Sequence, residues 1–287
     1  YADFDVRNVD SGAGRVVFEQ AGTLHVLDPG SNTVRDLTVT MQHDGLSLVP
    51  RWVDASDYIS SADIAPNGKR VVFEARGEIL TVPKEHGSPR NLTDSPGAHD
   101  RSPTWSPDGK TIAWFSDASG EYQLMLADER GQGEVRALDL NEGGFYSSPQ
   151  FSPDGEKLMF TDKTNRIAYV VLETGEVVQV DESQGSLGEV RPTAVWSPDS
   201  KWIAYERLNP RTMFGQIHLY ELETATSTRL TDDFAFTGEP AFSADGAHLF
   251  FTASTDIGPN LMGLNMAAAS SRDWDSNLYV VVLKADG

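Results

Sequence analysis

The sequence predicts an all-β protein, a β-propeller built of four-stranded antiparallel blades, and three observations carry that prediction. One hairpin signature recurs at a nearly fixed interval, two further strand-like runs follow most copies, and an Arg and a Leu mark the end of most units. The clearest copy is Arg101 to Ser116. In it Ser106-Pro107-Asp108-Gly109 has the residues of a type I turn, with Pro fixing φ at the second position and Gly accepting a left-handed conformation at the last. Ser102–Trp105 before the turn and Thr111–Phe115 after it read as strands, so the unit is a β-hairpin.

Related hairpins are Ile64–Phe73, Phe151–Phe160, Trp196–Tyr205 and Phe242–Phe251, with a degenerate copy at Ser11–Glu19. The turn prolines, with Ala244 standing for one, fall at 66, 107, 153, 198 and 244, giving intervals of 41, 46, 45 and 46 residues. A period in the forties with several short strands per unit is the signature of propeller blades. Third strands are expected at Thr23–Leu27, Glu78–Val82, Gln123–Leu126, Arg166–Val171, Gln216–Tyr220 and Leu278–Val282. Fourth strands follow at Arg35–Thr38, Arg90–Thr93, Arg136–Leu138, Val177–Val180 and Arg229–Thr231. About six blade-like units are visible, and the sixth has no evident fourth strand. A blade cannot bury its faces alone. The aromatic residues Trp105, Phe151, Trp196 and Phe242, on the inner strands, are therefore expected between neighbouring blades.

Residues 1–38 form a first blade, 39–60 a connecting segment and 61–287 five further blades. The connecting segment is long for a propeller and holds Trp52 and Tyr58, amphipathic side chains suited either to packing on the ring or to an interface. A second long connection, Thr252–Asn277, contains Leu261, Met262, Leu264 and Met266. Such a run suits a short helix capping its own blade or an adaptable contact surface. The entries into the inner strands carry His99, Asp100 and Arg101 in the third blade, Tyr146 in the fourth, Glu189 and Arg191 in the fifth and Glu239 in the sixth. A propeller gathers such entries at one channel mouth, so these residues are candidates for peptide contact, although solvation alone also makes a mouth polar.

Composition excludes several classes. The 287 residues contain no cysteine, so there are no disulfides, thiolate metal sites or cysteine nucleophile. Lys and Arg number 23 against 43 Asp and Glu, a formal charge of −20, which repels nucleic acid and anionic membranes and serves solubility, a salt-adapted host or a cationic partner. No apolar run is long enough for a membrane span. The start lacks both methionine and a signal peptide, as expected of an excised or processed segment. There is no G-x-S-x-G, phosphate loop or H-E-x-x-H. The six histidines are scattered, and the turn aspartates are explained by the turn. No catalytic residue, metal site or cofactor is therefore expected within this chain.

The stretch W-S-P-D-G-K-T-I-A-W-F-S-D-A-S-G-E-Y-Q-L (105–124), with V-P-R-W-V-D-A-S-D-Y-I (49–59), E-I-L-T-V-P (78–83) and D-F-D-V-R-N-V (3–9), resembles the N-terminal propeller region of tricorn-type serine proteases. The Pro-Asp-Gly hairpin also occurs in the Tol-system propeller and in prolyl-oligopeptidase-like peptidases, but the combination with 49–59 and 78–83 is more specific. The resemblance implies a parent cytoplasmic hydrolase that forms oligomeric rings and trims peptides. Its two propellers, non-catalytic, admit or release peptides, and a PDZ-like module and a serine-bearing catalytic region follow. It also implies that residues 1–38 end one propeller and that 58–287 form most of a second. The expected function is then peptide channelling or gating for a catalytic domain outside this chain. The alternatives are a free-standing, Tol-like scaffold for protein–protein interaction, at home in the periplasm, and a propeller enzyme acting through His99, Asp100 and Glu239.

Overall fold

The computed structural model describes residues 4–40, 44–45, 49, 51, 53–140, 144–182, 193–212, 214–255 and 276–283. They form six antiparallel sheets, each meandering in sequence order. The first blade is β1 (Val6–Gly12), β2 (Arg15–Gln20), β3 (Thr23–Asp28) and β4 (Thr33–Leu37). The second is β5 (Ile59–Ile64), β6 (Arg70–Ala75), β7 (Glu78–Pro83) and β8 (Arg90–Asn91), and the third is β9 (Arg101–Trp105), β10 (Thr111–Ser116), β11 (Gln123–Asp128) and β12 (Arg136–Leu138). The fourth holds β13 (Tyr146–Phe151), β14 (Lys157–Asp162), β15 (Ile167–Val171) and β16 (Val177–Asp181). The fifth holds β17 (Ala194–Trp196), β18 (Trp202–Leu208), β19 (Gly215–Glu221) and β20 (Thr226–Arg229). The sixth has three strands among the described residues, β21 (Phe236–Phe242), β22 (His248–Ser254) and β23 (Asn277–Val282).

The chain divides into two compact units, residues 1–53 and 54–287. In the first unit every residue of β1 is exposed, while Phe18, His25 and Val26 are buried. His25 stacks on Phe18 and its Nδ1 lies 2.9 Å from Asp36 Oδ1, a structural role.

In the second unit the core lies in the seams between blades. Ala65, Val72 and Ile79 of the second blade pack against Trp105, Ile112 and Trp114 of the third. Phe115, Leu124 and Leu126 continue into Phe151, Leu158 and Phe160 of the fourth. Tyr169 and Met159 meet Trp196 and Ile203 of the fifth, and Ala204 and Ile217 meet Leu249 and Phe251 of the sixth, with Phe242 packed against that last cluster. The four inner-strand aromatics thus stand at the seams.

The recurrent turn supplies a second, polar seam. Ser106 Oγ donates to Asp108 Oδ1 at 2.7 Å and accepts the Thr111 N–H at 2.9 Å, while Asp108 Oδ1 accepts the Lys110 N–H at 3.0 Å. The same Ser-to-Asp bond closes the turns at Ser152, Ser197 and Ser243. Gly109, Gly155 and Gly246 have φ between 69 and 74°. A Cβ on each would lie 3.5–3.8 Å from Pro66, Pro107 and Pro198 respectively, in every case the proline of the preceding blade's turn. Ser200 replaces this glycine in the fifth blade at φ 59°, and its Oγ accepts the Asp154 N–H of the fourth-blade turn at 3.0 Å. The exception to the turn pattern is therefore a cross-blade hydrogen bond.

Two stability effects follow. Trp105→Ala opens a seam and is expected to cost about 3–5 kcal/mol. Ser200→Ala keeps the strained backbone and removes the cross-blade bond, for a loss of about 1 kcal/mol. Urea titration of each variant checks both, and an unchanged midpoint for Trp105→Ala contradicts the seam assignment.

Candidate functional site

The first strands of adjacent blades lie against one another, β9 touching both β5 and β13, and β21 touching β17. Their entries carry a feature that the repeat pattern did not reveal. The register slips between Arg7 and Asp10, between Ser147 and Gln150, between Gly238 and Ala241, and opposite Ala113–Phe115 in the third blade. Each slip contains one non-glycine residue in the left-handed region, Asn8, Ser148, Glu239 and Ser102, with φ of 50–55°. These are β-bulges, which re-aim side chains at sheet edges and next to sites.

At the third-blade bulge the expected cluster His99, Asp100 and Arg101 is brought together, with distinct roles. Asp100 is buried, accepts the Trp114 Nε1–H at 3.0 Å and the Ser95 hydroxyl, and its own N–H donates to Gly77 O at 2.9 Å. It is a structural clamp to the second blade. Arg101 is also buried, and its guanidinium carbon lies 3.6 Å from the centroid of the Phe145 ring and 5.8 Å from that of Tyr122. Beside it, Glu74 Oε2 accepts the Ser102 N–H at 2.7 Å and the Ser61 hydroxyl at 2.9 Å. Burial opposes the Glu74 charge, yet Ser102, Ser60, Ser61 and Arg101 outweigh it and hold its pKa below the usual value.

The outer part of this cluster is His99 and Phe145, both exposed, with Tyr122 half-buried between them. The His99 N–H donates to Asp117 Oδ1 at 2.6 Å and its Nδ1 lies 2.8 Å from the Tyr122 hydroxyl. Phe145, 41% exposed, meets Tyr122 edge-on at 5.5 Å. Gly77 makes room for the imidazole, because a Cβ there would come within 3.1 Å of it. The result is an aromatic platform with a buried cation behind it, able to receive an apolar or aromatic side chain by stacking.

The remaining expected residues are placed differently. Tyr146 is a core residue at 1% exposure, its ring 5.6 Å from Phe115 and 5.4 Å from Phe160. Its exposed neighbour Phe145 takes the surface position. Glu239 is exposed on the sixth-blade bulge, 3.3 Å from Thr252 Oγ1, and its N–H bonds Glu206. Glu189, Arg191, Trp52, Leu261, Met262, Leu264 and Met266 lie outside the described residues. Tyr58 is half exposed, with the Arg76 guanidinium 5.0 Å from its ring centroid.

Glu74 and Glu206 were missed in the sequence although they occupy one repeat position, after Arg70-Val71-Val72-Phe73 and Trp202-Ile203-Ala204-Tyr205. Aligning the second strands finds both. Where Arg101 accompanies Glu74, the residue before the sixth-blade bulge is Gly238, on which a Cβ would lie 2.9 Å from Glu206 Oε2. Burial pushes the Glu206 pKa up to about 7, with the Glu239 charge adding to it and the Glu239 N–H opposing it. His218, stacked on Tyr205 with Nε2 buried and unbonded, is pushed down to about 4 by burial and by the charges of Arg207 and Arg229. Among the described residues no group of His, Asp and Glu is arranged to hold a metal ion, and no helix is long and apolar enough to cross a membrane.

Antiparallel sheets that meander in sequence order and recur six times along the chain define the class as a β-propeller. The chain belongs to the tricorn protease second beta propeller domain family, whose model matches residues 59–287. It is 28% identical over 267 residues to tricorn protease homolog 1 of Streptomyces coelicolor, covering 89% of this chain and 24% of that relative. The chain thus spans about a quarter of that curated relative. Among solved structures it resembles the tricorn protease at a TM-score of 0.65 and 17% identity, over 99% of this chain and 27% of that one. It also resembles a putative TolB from Agrobacterium tumefaciens at a TM-score of 0.52 and 16% identity, over 91% and 84% of the two chains. Both likenesses are of fold.

Glu206 yields a signed pH effect. Its folded pKa lies above the ordinary carboxylate value of 4.5, so the native state binds its proton more tightly than the unfolded state does. Its ionisation penalty is absent below about pH 4.5, grows through pH 7 and is complete above it. Glu206→Gln is expected to raise stability by about 1–3 kcal/mol at pH 8 and to change little at pH 5. His218, with its lowered pKa, acts in the opposite sense, losing stability as pH falls from 6.5 towards 4, so the wild-type profile alone blends the two. Denaturation of the variant at both pH values separates them, and equal effects at pH 5 and pH 8 rule out the titration.

Proposed function

We propose that this chain is a non-catalytic propeller segment of a tricorn-like serine peptidase, and that it channels or gates peptides towards a catalytic domain outside these residues. The observation that carries the reading is the family match across 59–287. The His99–Tyr122–Phe145 platform at a bulged inner strand supports it, as a place where a passing peptide side chain is held briefly by stacking. In this reading Arg101 and Asp100 are positioning residues, the first backing the Phe145 ring and the second locking the strand entry. Glu239, together with Glu189 and Arg191, is assigned to the same channel mouth. Tyr58 and Trp52, and the segment with Leu261, Met262, Leu264 and Met266, are assigned to contacts with other domains or copies. The parent peptidase is a cytoplasmic homo-oligomer in this reading.

The second reading is a free-standing interaction scaffold, favoured by the TolB-like fold, which this chain matches over 84% of that structure. The mass of the native polypeptide separates the two. A chain several-fold heavier than 31.4 kDa accords with the peptidase reading, and one near that mass leaves the scaffold.

In the parent protein, Phe145→Ala with Tyr122→Ala is expected to slow cleavage of long fluorogenic peptides several-fold and to leave a blocked tripeptide substrate unchanged. Equal loss at all lengths places the defect in folding or chemistry and contradicts gating, as does no loss at any length.

A further inference from the structure

A cavity of about 670 Å³ lies away from the bulged strand ends, between the hairpin turns of the third and fourth blades. Its origin is local. The connection 129–135 between β11 and β12 bends towards the second blade, where a Cβ on Gly131, at φ 67°, would lie 3.1 Å from Leu92 Cδ2. The side facing the fourth blade is left open. The floor is the shared core of the two blades, Leu126 and Phe151, with Leu172 packed on it. Pro107 and Pro153 stand on the two walls, and Arg136 joins the blades by donating from Nη2 to the Glu173 carbonyl at 3.2 Å.

Charge around this floor is one-sided. Asp108, Asp128, Glu134 and Asp154 line the groove against one cation, Arg136. Lys110 and Lys157 lie 3.5 and 3.3 Å from Asp108 and Asp154. Asp128 and Glu134 have no ion pair among the described residues. The Ser106 hydroxyl and the Lys110 N–H hold Asp108 below its usual pKa, and at Asp154 the Ser152 and Glu156 donors outweigh burial to the same end. The rim therefore stays anionic at neutral pH.

We propose that this inter-blade groove is a second protein-docking site, one that takes an extended segment of a partner protein in which aliphatic residues alternate with lysine or arginine. Successive side chains of an extended chain point to opposite sides. Aliphatic groups then cover the Leu126–Phe151–Leu172 floor while the cations face Asp128 and Glu134. A small amine leaves the floor wet, and nucleic acid is repelled by the rim. The volume lies within the range of about 300–1,000 Å³ typical of binding clefts. The inference does not rest on the channel reading, because the groove and the His99–Tyr122–Phe145 platform share no residue.

The test is fluorescence anisotropy on the full 287-residue chain, with a dye-labelled short peptide alternating leucine and lysine and blocked at both ends. Saturable binding is expected, weakened about ten-fold by Glu134→Lys and by Leu172→Lys, and unchanged by Glu85→Lys on the second blade. Glu134 is exposed, so its variant folds even where the Leu172 variant does not, and thermal melts verify each. Any of four results overturns the proposal: no saturable binding, equal binding of a leucine–serine peptide, an equal loss in Glu85→Lys that marks bulk charge, or a loss confined to Phe145→Ala that marks the strand-entry platform.

Discussion

Each blade of residues 54–287 buries its apolar surface only against its neighbours, and this dependence on the next blade organises the rest of the structure. The contact has two layers. An aromatic at the inner strand of each of the third to sixth blades, such as Trp105 or Phe151, fills the space between sheets, where a large ring removes much apolar area from water at little entropic cost. Above it the turns meet, Gly109 on Pro66 and Gly155 on Pro107. The Pro-Asp-Gly turn therefore serves more than chain reversal. Its proline presents a rigid apolar edge, and its glycine lets the next turn approach that edge. Where Ser200 takes the glycine position, a hydrogen bond to Asp154 replaces the close contact.

The same dependence explains where polar groups are buried. Asp63 of the second blade accepts the Trp105 N–H at 2.7 Å and the Thr104 hydroxyl at 3.1 Å, and Trp196 Nε1 donates to Gln150 O at 3.2 Å. Arg207 pairs with Asp181 of the fourth blade at 3.2 Å. A hydrophobic seam fixes distance but tolerates sliding, whereas a directional bond fixes register. The repeat is in this way held to one stagger per seam, and the strand entries are brought to defined positions. Bulges at Ser102, Ser148 and Glu239 then turn the backbone at those entries, at a cost of about 1–3 kcal/mol each.

The fold was legible in the sequence because it is periodic. Turn residues at fixed spacing and alternating strands need no knowledge of distant contacts. Nearly every expected strand is present, with shifts of up to three residues at the ends. The site was less legible, for a physical reason. His99, Asp100 and Arg101 were marked by their place before a strand, but that place does not say whether a side chain points outward. A bulge of one residue decides it, and nothing local in Arg101-Ser102-Pro103 announces one. Tyr146 and Phe145 exchange roles through the same one-residue parity, since neighbouring strand positions face opposite sides. Glu74 and Glu206 were hidden differently, as members of a repeat position that holds Glu19, Phe115, Thr161 and Thr252 in the other blades.

Variation on a repeat is where such a module places its function. Every seam must be sound, so the residues free to change are those that the seam does not use: the bulged entries, the outer connections and the partners of buried charges. Two of the carboxylates at one repeat position, Glu74 and Glu206, illustrate the point. Glu74 keeps its charge because Arg101 and three serines surround it, whereas at Glu206 a glycine stands where the arginine would be, and the acid is drawn towards neutrality. The outer connection of the third blade departs in the same spirit, bending towards the second blade and exposing an acid-rimmed window onto the shared core. In both places the backbone plan of the blade is kept and its chemistry altered, and a repeat scaffold needs no new fold to acquire a second surface.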